Sequence, residues 1–176
     1  MSQQIATNLS SRHRIEKSYK EKRRIVIDSL KKNKLNPVLH FRVAEFFYAE
    51  KKYDLAYPYY RDALLLNKKS PIYLCNFACC LDMIGKYDMA IQCWRELLSW
   101  SLIRIVNNSK MNKDEALSFK NDCRLRISIT YSKIPVDKYA KLYFRNYFNF
   151  RNRHLLSTTF SKYYVNTFAD DLQIIV

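Results

Sequence analysis

The sequence predicts an all-α fold built from stacked helical hairpins, and three observations predict it. The chain matches itself when slid by 34 residues, a period at which helix–turn–helix units stack on copies of themselves. It holds one Gly and four Pro in 176 residues, too few for the tight turns of barrels, sandwiches or Gly-rich nucleotide loops. Its apolar residues recur three and four apart, the spacing of one helix face. The length suits one domain. The 48% apolar fraction is that of a chain with a packed core.

The self-match is specific. Pro37 falls on Pro71, Ala44 on Ala78, and Lys52-Tyr53-Asp54 on Lys86-Tyr87-Asp88. Ala56 falls on Ala90, Tyr60 on Trp94, Arg61 on Arg95 and Leu64 on Leu98. Small residues at fixed offsets let two helices approach, and the aromatics fill the space beside them. In order along the chain, residues 1–35 read as a basic amphipathic helix with Ile15, Tyr19, Val26 and Leu30 on one face. Residues 36–69 form the first unit. Phe41, Ala44, Phe47 and Tyr48 mark its first helix, and Ala56, Tyr60, Ala63 and Leu64 its second. Pro71 ends that unit, because Pro disfavours the helical state just before it. Residues 70–106 repeat the pattern with Phe77, Ala78 and Leu81, a turn at Gly85, then Ala90, Trp94, Leu97 and Leu98. A left-handed residue after a helix end is where Gly is most useful. Residues 107–153 form a divergent third unit. Asn112 caps a helix with acids in its first turn, and Asp137-Lys138-Tyr139-Ala140 echoes the turn. Ala90 to Ala140 is 16 residues more than one period, so an inserted helix-turn or a longer first helix is expected here. In 154–176, Phe160, Tyr164, Phe168, Leu172 and Ile175 lie three or four apart, as in a C-terminal capping helix.

These residues resemble the tetratricopeptide repeat. Gly85-Lys86-Tyr87-Asp88-Met89-Ala90 follows that family's turn, and the first unit follows it with Lys51 in place of Gly. The resemblance covers 36–102 and implies a right-handed superhelix closed by N- and C-terminal capping helices. Ala44, Ala56, Tyr60, Ala63, Ala78, Gly85, Ala90 and Trp94 would be its packing residues. By the family's positions, the first helices would line a peptide-binding groove with Phe41, Glu45, Tyr48 and Ala49, then Cys75, Cys79, Asp82 and Met83, then Leu125, Ile129, Ser132 and Lys133. That lining lacks the Lys and Asn set with which some members clamp a terminal carboxylate. It fits an extended or helical segment with apolar side chains. Other candidate occupants are the chain's own tail, or a second copy making a homodimer. Phe77-Ala78-Cys79-Cys80, followed by Gly85 to Ile91, is also similar to the type III secretion chaperones of translocator proteins. That likeness implies a partner held soluble before export. The alternative is an immunity or regulatory adaptor neutralising an acidic toxin domain.

Charge bears on the partner. The chain carries 31 Lys+Arg against 16 Asp+Glu, net +15. The excess is +7 in 12–34 and +7 in 120–153, against +2 in 35–119 and −1 in 154–176. Basic ends around a balanced middle are either solvated helix faces or an attraction for something acidic. Nucleic acid is a second candidate partner, because Lys138, Tyr139, Lys141, Tyr143, Arg145, Tyr147, Phe148, Phe150, Arg151 and Arg153 interleave cations with rings. No apolar run approaches the ~20 residues of a membrane span. Five cysteines in no zinc-like spacing read as buried small hydrophobes and free thiols. With no secretory pattern at the start, they point to the cytoplasm. His13, His40 and His154 lie apart, and no catalytic or phosphate-binding motif occurs. The expectation is a non-enzymatic protein without metal or cofactor.

Overall fold

The computed structural model of the chain describes residues 19–134 and 137–150. They form eight helices and no strand: α1 (19–32), α2 (Pro37–Ala49), α3 (Tyr53–Leu66), α4 (Pro71–Met83), α5 (Tyr87–Ser99), α6 (Leu102–Asn107), α7 (Lys113–Ser132) and α8 (Asp137–Phe150). The chain divides after Lys68 into two compact units. Ile15 and the expected capping helix of 154–176 lie outside the described residues.

The first unit is built on the α2–α3 hairpin. Asn36 caps α2, its side-chain oxygen accepting from the Val38 N–H at 2.9 Å, while Pro37 supplies a helical φ at a position whose N–H is not needed. Lys51 ends the helix in the left-handed region, at φ 58°. Its N–H donates to the Tyr48 carbonyl and that of Lys52 to the Phe47 carbonyl, each at 2.9 Å. This pair of bonds is the Schellman pattern, which satisfies carbonyls a helix end leaves open. Val43, Ala44, Ala56, Tyr60 and Ala63 are buried between the two helices. α1 lies on α2. The Tyr19 hydroxyl donates to the Phe46 carbonyl at 3.0 Å, its ring meets Phe46 edge-on at 5.1 Å, and Arg23 pairs with Glu50.

The second unit holds α4 to α8. The α4–α5 hairpin repeats the solution. Ser70 caps α4 ahead of Pro71. Gly85 takes φ 78°, and Gly85 and Lys86 donate to the Asp82 and Leu81 carbonyls. Ala78, Leu81, Ala90, Trp94 and Leu97 are buried. The interval before the third hairpin holds both a short helix and a long one. α6 has six residues, starts at a Ser101 cap, and carries Arg104 3.6 Å over the Trp100 ring. α7 has twenty residues and opens with a reciprocal capping box between Asn112 and Glu115. It pairs with α8 through Ser128 Oγ to the Ala140 carbonyl at 2.8 Å and the Asn121 amide to the Tyr147 carbonyl at 3.0 Å.

Candidate functional site

The groove residues expected from the sequence fall in both units, and each unit is described by itself. In the first, Phe41, Glu45, Tyr48 and Ala49 lie along one face of α2. Phe41 meets Tyr60 edge-on at 5.6 Å. Tyr48 sits between Tyr53 at 5.0 Å and Tyr60 at 6.0 Å. These half-buried rings are oriented by α3, and Glu45 and Ala49 beside them are exposed. Partial burial raises the Glu45 carboxyl above its ordinary value, against the opposing pull of Arg42.

In the second unit, α4 and α7 run alongside each other in the same direction. The Cys75 thiol hydrogen-bonds with Cys123. Seven residues further along both helices, Thr130 Oγ1 donates to the Asp82 carboxylate at 2.9 Å. Equal spacing in the same sense requires parallel neighbours two turns apart in register. Asp82 is buried and its second oxygen pairs with Lys133, which lies 5.6 Å from the Tyr87 ring centre. A buried carboxylate needs such partners to be tolerated. Cys75 and Cys79 are buried beside Asp82, and their thiols titrate well above the ordinary range. The hydrogen bond with Cys123 is the first cause for Cys75, against an opposing pull from its bond with Cys79. The bond with Cys75 is the first cause for Cys79, and burial raises both. Thiols held neutral in this way are packing groups and poor nucleophiles. Met83 closes the α4 face and is 43% exposed.

Leu125 and Ile129 stand elsewhere. They are 5% and 7% exposed and pack with Phe144 and Tyr147 inside the α7–α8 hairpin. α7 meets α4 instead through Cys123 and Thr130, with Lys133 reaching Asp82 from the helix end and half-buried Arg126 close enough to act on both Cys75 and Cys79. Ser132 and Lys133 are exposed, as a lining residue must be. Sequence reasoning missed Arg126 and Thr130, and the only available signal was their placement three residues after Cys123 and Ile127 of the Cys123–Ile127–Tyr131 stripe. The rings of α8 are largely engaged within the unit, while Lys138, Lys141 and Arg145 are exposed. Tyr139 and Tyr143 lie 5.3 and 5.9 Å from Tyr131, Arg95 bonds the Tyr131 and Tyr143 hydroxyls at 2.7 and 3.2 Å, and Arg124 lies 4.5 Å over Phe150. Arg151 and Arg153 are outside the described residues. Among the described residues no cluster of His, Cys, Asp or Glu could hold a metal, and no helix is long and apolar enough to cross a membrane.

Paired helices with small residues at the crossing, a left-handed turn between them, and first helices ranged side by side define the tetratricopeptide-repeat fold, and this chain has it. Three solved structures show the same architecture. YrrB, described as a TPR protein with an unusual peptide-binding site, aligns at 17% identity over 81% of this chain and 66% of its own, TM-score 0.61. MamA (MSR-1) aligns at 14% identity over 76% of this chain and 67% of its own, TM-score 0.58. MamA (AMB-1) aligns at 17% identity over 73% and 66%, TM-score 0.57. The chain therefore spans about two thirds of the length of these structures, and slightly less for two of the three. No protein-family model matches the sequence. No curated protein matches it either.

Proposed function

We propose that the protein is a non-enzymatic adaptor that holds a segment of another protein against the first helices of its hairpins. One observation carries this reading: buried Asp82 of α4 is tied to both Thr130 and Lys133 at the end of α7, with Met83 exposed beside it. A rigid face of this kind lets a partner's side chains bury apolar area without reordering the receptor. The aromatic face of α2, with Phe41 and Tyr48 held by Tyr53 and Tyr60, is a second such surface. The peptide-binding site of YrrB supports the same use of the fold. The net charge of +15 favours an acidic partner and faster encounter at low salt. A secretion chaperone is the narrower form of this proposal, and a toxin-neutralising adaptor is the alternative. Nucleic-acid binding stands behind both, since Tyr139 and Tyr143 already stack on Tyr131.

Affinity capture with the full chain from its native cell, at low and high salt, tests the proposal. We expect one protein partner, retained at moderate salt, whose capture is lost in Met83→Glu or in Phe41→Glu with Tyr48→Glu at unchanged helicity. Capture that survives all three substitutions removes the faces named here. Recovery of bulk nucleic acid alone, released by salt, replaces this reading with the nucleic-acid one.

A further inference from the structure

Val38, Arg42, Glu45 and Ala49 of α2 are all exposed, Val38 at 49%. They are spaced four, three and four apart, so they form one ridge about 16 Å long. Half-buried Phe41 and Tyr48 border it along one side. Arg42 and Glu45 stand equally far from the Val43–Ala44 peptide bond, and so do Val38 and Ala49. The ridge therefore reads apolar, charged, charged, apolar from either end, and its two charges are opposite in sign. Among the described residues no ion pair engages Arg42 or Glu45.

We propose that this ridge is a two-fold contact between two copies of the chain, with their α2 helices antiparallel. Charge complementarity selects a second copy as the occupant, because a two-fold contact must be its own complement. Half a turn about the Val43–Ala44 midpoint sets Arg42 against Glu45 of the second copy, and Glu45 against its Arg42. The same half turn sets Val38 against Ala49 twice and brings Phe41 close to Tyr48 of the second copy. A parallel pair in register would set Arg42 on Arg42 and Glu45 on Glu45, which like-charge repulsion disfavours. The exposed ion pairs fix the register and contribute little affinity. Burial of the apolar ends and of the ring flank supplies the rest. A contact one helix long makes a weak, concentration-dependent dimer. The proposal rests on the reading of α2 as a docking face and names its occupant. The α4 edge at Met83 stays with the other protein, and in affinity capture a dimer offers it two such edges.

Sedimentation equilibrium of the purified full chain tests the contact, with helicity followed by circular dichroism. A dimer that dissociates on dilution is expected. Arg42→Glu and Glu45→Arg each place like charges at both contacts and are expected to raise the dissociation constant about tenfold or more. An equimolar mixture of these two variants is expected to dimerise as the unsubstituted chain does, since each carries the charges the other needs. Arg42→Glu with Glu45→Arg in one chain exchanges the two signs and is expected to keep the dimer, which an antiparallel pair alone allows. A chain that is monomeric at every concentration overturns the proposal and leaves α2 to a different protein, with capture at Met83 untouched. A dimer that neither single variant weakens overturns it, because the copies then meet elsewhere. Weakening by both variants without recovery in the mixture also overturns it.

Discussion

The α2–α3 hairpin turns through Lys51 at φ 58°, and the α4–α5 hairpin turns through Gly85 at φ 78°. The hydrogen bonds are the same, residue for residue, 34 positions apart. A side chain in the left-handed region costs about 1 kcal/mol that Gly does not. The second difference lies within the helices that follow. Pro58 sits inside α3, so the Asp54 carbonyl lacks the N–H that Gln92 supplies to Asp88 in α5. The first hairpin therefore carries two local costs that the second lacks. It offsets them with rings: Phe41 and Tyr48 both meet Tyr60, Tyr48 also meets Tyr53, Phe47 stacks on Tyr59, and Tyr19 from α1 meets Phe46. Aromatic pairs contribute about 0.5–1.5 kcal/mol beyond their buried area. The repeat geometry is thus set by packing, and the turn residue adjusts stability within it.

Four substitutions probe this comparison, and the reporters separate the units because both tryptophans, Trp94 and Trp100, lie in the second. Ala90→Trp puts a large ring where a fully buried small residue lets α4 and α5 meet. It should cost about 3 kcal/mol in urea unfolding followed by tryptophan fluorescence, and unchanged stability would contradict the alignment of the repeats. Pro58→Gln restores the missing N–H and should gain about 2 kcal/mol in the first unit, read as slower amide exchange across α3. No gain there would mean that α3 is already relaxed around its proline. Gly85→Ala meets no atom within 4 Å of the added Cβ, so its cost is the backbone conformation alone. That predicts a loss of about 1 kcal/mol by tryptophan fluorescence. Lys51→Gly works in the opposite direction and should gain about 0.5 kcal/mol, because relief of strain is partly cancelled by a more flexible unfolded chain. Opposite signs at these two equivalent positions are the sharpest form of the comparison, and equal signs would break it.

Where the pattern is local, the sequence was legible. The 34-residue period located Ala44, Ala56, Ala78 and Ala90, every one of which is buried without remainder. The left-handed turn at Gly85 followed from glycine alone. Lys51 took the same conformation without that cue, because the period assigns it the same place. Pro58 was a local signal against a helix, and the packing of Ala56, Tyr60 and Ala63 prevailed over it. The candidate site was less legible. Cys79 and Asp82 stand on the expected face of α4, but nothing in their own neighbourhood announces that Thr130 and Lys133, about fifty residues away, satisfy the carboxylate.

Among the described residues, the sequence by itself indicated the paired helices of the first two hairpins, the turns at Lys51 and Gly85, and the small residues at the crossings, since each depends on neighbours within a few turns. The tertiary structure alone decided which side of α7 looks to α4 and which to α8. Helix α7 is buried on several sides at once, from Ala116 through Asp122 and Leu125 to Tyr131, so no single apolar stripe ranks its faces. That choice carried Leu125 and Ile129 into the α7–α8 interior and left the α4 side to Cys123 and Thr130. It was settled by the fit of whole surfaces between helices, to which a local period is blind.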